Sequence, residues 1–319
     1  MMQWVQGMRD SFFTSLFSIA KDDKRVILIT SDTGAICHDR FRDELKDQYI
    51  NVGIAEQNMI GVAAGLAMAG KIVYVYAIIP FATMRCYEQI RVDLCCMNLP
   101  VTVVGVGVGF DYSTLGPTHH GIEDISLMRS LPEMKIYSPA DSFMAEELAK
   151  LSYEEKGPKY IRLDRVGSPL VYKNKKEIDF SKGFNVVREG KDLYIIATGR
   201  MVFNALNVAE LLADLSIDTG VIDLFKIKPF NKNMLWDVIK DVGHVVTLEE
   251  HFIIGGIGEL VGGLLLNRRK PVEFRAIGIP HAFCRSYGTR DYLYRINGID
   301  KHSMVETINK WIKTEKKFL

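Results

Sequence analysis

The chain of 319 residues has no apolar run of 18 or more, so no segment reads as a membrane-spanning helix. Nor does it carry an excess of charge of either sign. Lys and Arg total 40 against 39 Asp and Glu, a net charge of +1. That balance removes the electrostatic case for binding nucleic acid or an anionic membrane surface. Cysteine is scarce. The five, at 37, 86, 95, 96 and 284, show no zinc or redox spacing. A scattered odd number fits a reducing cytoplasm, and the five are expected to be buried as small hydrophobes. The amino-terminal stretch Ser11–Ala20 lacks a basic leader and a cleavage site, so an amphipathic first helix is expected there and no secretory signal. Short-period repeats and low-complexity tracts are absent as well.

What is present is an α/β rhythm. Short Val/Ile-rich runs at 26–30, 72–76, 101–109, 134–137 and 159–163 alternate with helical stretches, including 80–97 and 142–155. The run at 101–109 is apolar on both faces, as a central parallel strand must be. Residues 166–191 then collect glycine, proline and lysine and read as a linker with some local strand. A second alternating set follows, with strands at 193–197, 219–223, 244–248 and 272–276 and helices near 201–215, 231–241 and 256–266. The length allows two cores. The expectation is two doubly wound α/β domains, residues 1–166 and 191–319, joined by a linker at 167–190.

Two segments carry chemistry. In Asn51–Asn58 a single acid, Glu56, heads a helix of small residues including Gly61, Ala63, Ala64, Gly65 and Ala67. A buried carboxylate needs a partner. The lack of bulk lets another backbone approach closely. Glu56 therefore reads as a catalytic carboxyl at a tight internal or intersubunit seam, and the alternative is a plain helix-capping glutamate. The second segment, 110–124, follows the central strand and sets His119 and His120 among Gly116, Pro117 and Gly121. Loops at the carboxyl ends of strands build ligand sites in open α/β sheets. A rigid loop whose histidines only cap the next helix fits the residues equally well. No further His or Cys stands in zinc-ligand spacing.

Taken in order, Asn51–Asn58, Pro80–Arg91, Gly116-Pro-Thr-His-His120, Tyr137-Ser-Pro-Ala-Asp141, Thr247–Gly258 and Gly278–Phe283 resemble the carboxyl-terminal half of the thiamine diphosphate-dependent transketolase family, which includes 1-deoxyxylulose-5-phosphate synthase. The resemblance spans nearly the whole chain. It implies a pyrimidine-binding domain followed by a transketolase carboxyl-terminal domain. The family's Gly-Asp-Gly…Asn motif for the metal and diphosphate is missing; Asp32-Thr-Gly34 is its nearest fragment. A separate partner chain is therefore expected to supply the diphosphate site and the Mg2+ ligands, in a heterotetramer of two copies of each chain. The metal has no expected ligand on this chain.

By the same resemblance, Glu56 hydrogen-bonds N1′ of the cofactor's pyrimidine, and burial is expected to outweigh the helix end in keeping that carboxyl protonatable. Phe81 is the expected aromatic platform, with Tyr87 as second choice. Ile54 is expected to border the cofactor. His119 is expected at the substrate oxygens, with His120 beside it in place of the usual glutamine. Arg165 and Arg9 are expected to hold a sugar phosphate. Leu115 stands where the family has an aspartate that accepts from a sugar hydroxyl, so the sugar itself is open. The implied activity is transfer of a two-carbon ketol unit from a ketose phosphate to an aldose or its phosphate. The alternatives are a subunit like 1-deoxyxylulose-5-phosphate synthase or the oxo-acid dehydrogenase β chain, and a non-catalytic scaffold. The Gly-Pro-Thr-His run argues against the dehydrogenase, and intact Glu56 and His119 argue against the scaffold.

Overall fold

The structure, a computed structural model, describes residues 6–268 and 272–315. The outer ends of the two expected domains, at 1–5 and 316–319, lie outside the described residues. Twelve strands form two sheets: β1 Val26–Thr30, β2 Tyr49–Asn51, β3 Ile72–Ile78, β4 Val101–Val106, β5 Lys135–Tyr137, β6 Lys159–Leu163, β7 Asn185–Arg188, β8 Leu193–Ala197, β9 Thr219–Asp223, β10 Lys226–Lys228, β11 His244–Phe252 and β12 Glu273–Ile279. The α-helices are α1 Met8–Asp22, α2 Asp39–Glu44, α3 Glu56–Met68, the single turn α4 Tyr87–Gln89, α5 Asp124–Arg129, α6 Ser142–Glu154, α7 Met201–Ala213, α8 Lys232–Ile239, α9 Ile257–Leu266, α10 Arg290–Ile296 and α11 Lys301–Glu315.

The first sheet has the order β10-β5-β6-β4-β3-β1-β2 and the second β12-β11-β8-β9-β7. All pairings are parallel except β10 with β5 and β7 with β9. Every residue of β1, β4, β6, β8 and β9 is buried. Helices cover both faces of a parallel sheet, which explains the apolar runs of β1, β4 and β8; β6 and β9 are buried as fully but carry Lys159, Arg162 and Asp223. Among those helices, α1 buries Phe12, Phe13, Leu16 and Phe17 on one side. The Asp141 carboxylate starts α6 by accepting the Met144 N–H at 2.9 Å.

The local strand that the sequence allows in the 167–190 linker is β7, which closes the edge of the second sheet. The structure differs from the sequence expectation at three other places. The short β10, from the second half of the chain, crosses over to complete the first sheet. The helix expected over 80–97 is wound wider than an α-helix at Phe81–Arg85 and Ile90–Cys96, with α4 between them. Among the cysteines, Cys86, Cys95 and Cys284 are buried and Cys37 is half-buried, but Cys96 is exposed, contrary to expectation. No helix among the described residues is long and apolar enough to cross a membrane.

Candidate active site

The carboxyl ends of β1, β3, β4 and β6 lie side by side, and residues just past them meet at that end of the sheet. After β1 the chain turns through Asp32, whose φ is +59°. Asn51 locks that turn: its side chain accepts the Asp32 N–H at 3.1 Å and donates to the Asp32 carboxylate at 3.0 Å. The lock sets Ser31 beside the start of α3. There the Ser31 hydroxyl donates to Glu56 Oε1 at 3.0 Å. Glu56 is 2% exposed. Its other oxygen, Oε2, accepts from Arg85 Nη1 at 2.6 Å.

The wide turn after β3 places Phe81 and Arg85 together. Thr83 anchors it by donating to the Ile79 carbonyl at 2.6 Å. The Arg85 guanidinium lies over the Phe81 ring, 4.3 Å from its centroid. On the other side, the His119 ring meets Phe81 edge-on at 5.3 Å. Glu56, Phe81 and His119 are thus brought to one place, with Ser31 and Arg85 as members the sequence reading missed. One planar cation, Arg85, already spans the buried carboxyl and the aromatic face. The carboxyl and the aromatic face therefore fit a flat heterocycle with a ring nitrogen at its edge that can share a proton, which is what an aminopyrimidine presents.

His119 sits on the loop after β4. Its Nδ1 is 2.9 Å from the Thr118 hydroxyl, and burial lowers its pKa below the ordinary 6.5. Burial thus favours the neutral imidazole. His120 is placed differently. It is 1% exposed, edge-on to Phe110 at 4.9 Å, and neither ring nitrogen has a hydrogen-bond partner among the described residues. Burial, and then His119, lower its pKa to about 4. Tyr87 turns away from the Glu56 carboxyl, with its hydroxyl 2.5 Å from that of Ser130 and 3.3 Å from the Leu127 carbonyl. Ile54 and Leu115 are exposed beside the loops.

The arginines lie together at the end of β6. The Arg9 N–H donates to the Asp164 carbonyl at 3.2 Å, which sets the start of α1 against Arg165. The Arg165 guanidinium is exposed and stands over the Tyr112 ring at 4.9 Å. Arg9 is mostly buried and pairs with Asp10 at 2.7 Å.

The second domain fastens these loops from below. Glu250, on β11, accepts the Phe110 N–H at 2.7 Å. Arg290, on α10, donates to Glu250 Oε1 at 2.9 Å and Asp164 Oδ1 at 2.9 Å. Asp111 accepts the Arg165 N–H at 2.6 Å. Gly109, with φ +58°, is needed here because a Cβ would fall 2.2 Å from the Glu250 carboxyl carbon. Among the described residues, no group of three or more His, Cys, Asp or Glu is arranged to hold a metal ion.

Comparison with known proteins bears on the two halves of the chain in turn. The transketolase pyrimidine binding domain family matches residues 6–168, and the transketolase C-terminal domain family matches residues 183–304. An apulose-4-phosphate transketolase subunit of Phocaeicola vulgatus is 34% identical over 96% of this chain and 97% of its own length. A 6-deoxy-6-sulfo-D-fructose transketolase subunit of Clostridium sp. is 34% identical over 97% and 95%. A solved structure described as a split gene transketolase, inactive beta4 tetramer, superposes with a TM-score of 0.87 at 32% identity, covering 96% of this chain and 98% of that one. The chain belongs to the transketolase family. Within that family it is of the split-subunit type.

Proposed function

We propose that this chain, joined to a second subunit that binds the cofactor's diphosphate and Mg2+, transfers a two-carbon ketol unit from a ketose phosphate to an aldose or aldose phosphate. Two copies of each chain would assemble in the cytoplasm. The observation that carries the reading is Glu56, 2% exposed and joined to the Phe81 ring through Arg85. The outer face of α3 fits an assembly seam: Asn58, Gly61 and Gly65 are exposed, and an added Cβ at either glycine would meet nothing within 4 Å.

When bound, thiamine diphosphate supplies the nucleophilic carbon that opens the bond beside a ketose carbonyl. The residues of this chain do the rest. Glu56 holds or moves a proton at pyrimidine N1′, steadied by the Ser31 hydroxyl. Phe81 offers the ring face, and the commitment of the Tyr87 hydroxyl to Ser130 and Leu127 favours Phe81 over it. Ile54 shields the edge of the site. His119, neutral and able to give or take a proton, acts at the substrate oxygens. His120 braces the loop from within. Arg165 and Arg9 hold the phosphate, with Arg165 the more open of the two. Leu115 leaves one sugar hydroxyl unread.

The test is co-expression with a chain carrying Gly-Asp-Gly…Asn, followed by a two-carbon transfer assay over several ketose and aldose phosphates with Mg2+ and thiamine diphosphate. Glu56→Ala is expected to lower the rate roughly 10²–10⁴-fold while the complex still assembles. Turnover at the native rate in that variant would remove Glu56 from its role.

A further inference from the structure

The proposed function leaves one side chain at the site without a task. Arg85 is 43% exposed at its side chain, yet it makes the shortest contact to the buried Glu56. The only hydrogen bond its side chain makes among the described residues is that one, at 2.6 Å. Its flat face lies on Phe81 at 4.3 Å. These are the two contacts assigned above to the aminopyrimidine. A guanidinium and an aminopyrimidine share the features that such a site reads: planarity, an edge nitrogen that hydrogen-bonds a carboxyl, and a face that stacks on an aromatic ring.

The two occupants exclude each other. Glu56 has two oxygens; Ser31 takes Oε1 and Arg85 takes Oε2. With the carboxyl 2% exposed, no open flank remains for a second donor. The Phe81 ring has the His119 edge against it and Arg85 over it. Arg85 has a reason to stay in the free chain, since a lone buried carboxylate is costly without a cation. It also has a way out. Nearly half its side chain already faces water, so it can swing aside without unpacking the core.

We propose that Arg85 holds the place of the aminopyrimidine in the cofactor-free chain and competes with it, so that this residue sets how tightly the cofactor is taken up. The inference rests on the reading of Glu56 and Phe81 as pyrimidine contacts. A placeholder that fills the site in nine molecules out of ten weakens the apparent affinity roughly tenfold.

The measurement is calorimetric titration of thiamine diphosphate, at saturating Mg2+, into the complex of this chain with its diphosphate-binding partner. Arg85→Met keeps the length and loses the charge and the N–H donors; it is expected to bind the cofactor roughly tenfold more tightly than the native complex. Arg85→Lys keeps the charge but cannot stack, and should fall between the two. It decides the matter if the methionine variant does not fold. Equal or weaker binding in a folded variant would overturn the inference alone, because Arg85 would then be a bystander or a cofactor contact. A native complex that assembles and takes up no thiamine diphosphate would overturn the functional reading, and this inference with it.

Discussion

Replacing Asp111 with asparagine is expected to stabilise the chain at neutral pH and to leave it unchanged near pH 4. Asp111 is buried between two strand ends, with Asp164 and Arg290 around it. Burial, and then the negative charge of Asp164, push its carboxyl from an ordinary 3.8 up to about 6. Arg290 offsets this only in part, its Nη1 lying 3.9 Å from Oδ1. Between about pH 4 and pH 6 the folded chain keeps this proton while the unfolded chain has released it. The favourable contribution is therefore complete below the unfolded value and is lost as pH rises through about 6. At about 1.4 kcal/mol per pH unit, the loss reaches roughly 3 kcal/mol at neutral pH. Asparagine removes the charge and keeps an oxygen that can accept the Arg165 N–H, now held at 2.6 Å. Thermal unfolding of both chains from pH 4 to pH 8 reads the difference. At about 2 °C per kcal/mol for a chain of this size, Asp111→Asn should melt roughly 5 °C higher at pH 7.5. A variant that is less stable there, or a difference that does not change with pH, would refute the reasoning.

Three more outcomes are expected. Arg162 is buried and grips Asp124 with two bonds, 2.8 and 3.0 Å long, so Arg162→Met should cost about 3–5 kcal/mol in a urea melt; an unchanged midpoint would count against that pair. Phe81→Leu removes the ring face, and cofactor affinity in the assembled complex should weaken roughly 2–10-fold by calorimetry. His119→Asn should lower turnover about 10²-fold or more with cofactor affinity unchanged; a lost cofactor with normal chemistry would place His119 elsewhere.

Much of this was legible in the sequence for plain physical reasons. A strand covered on both faces is mostly apolar, so β1, β4 and β8 announce themselves. Glu56 stands out as a single acid at the head of a helix of alanines and glycines. Its partners were hidden because contact is set by the fold and not by spacing: Ser31 lies 25 residues away and Arg85 29. The brace from Glu250 to Phe110 spans 140 residues, which no local pattern encodes. Strand β10 escaped notice because Lys-Ile-Lys is three residues with one apolar side chain, and only the bare edge of β5 makes it a strand. The wide winding at Phe81–Arg85 leaves an ordinary helical pattern in the residues. It matters all the same, since it sets Arg85 over Phe81.

The crossing of β10 has a consequence for how the protein is made. Until residues 226–228 have left the ribosome, Lys135–Tyr137 has no neighbour on its outer side, and such an open edge invites pairing with other chains. The early half of the polypeptide therefore finishes late, once the later half has come back to seal it. Severing the backbone between the two sheets would yield fragments that seek each other or clump, and neither would behave as a separable module.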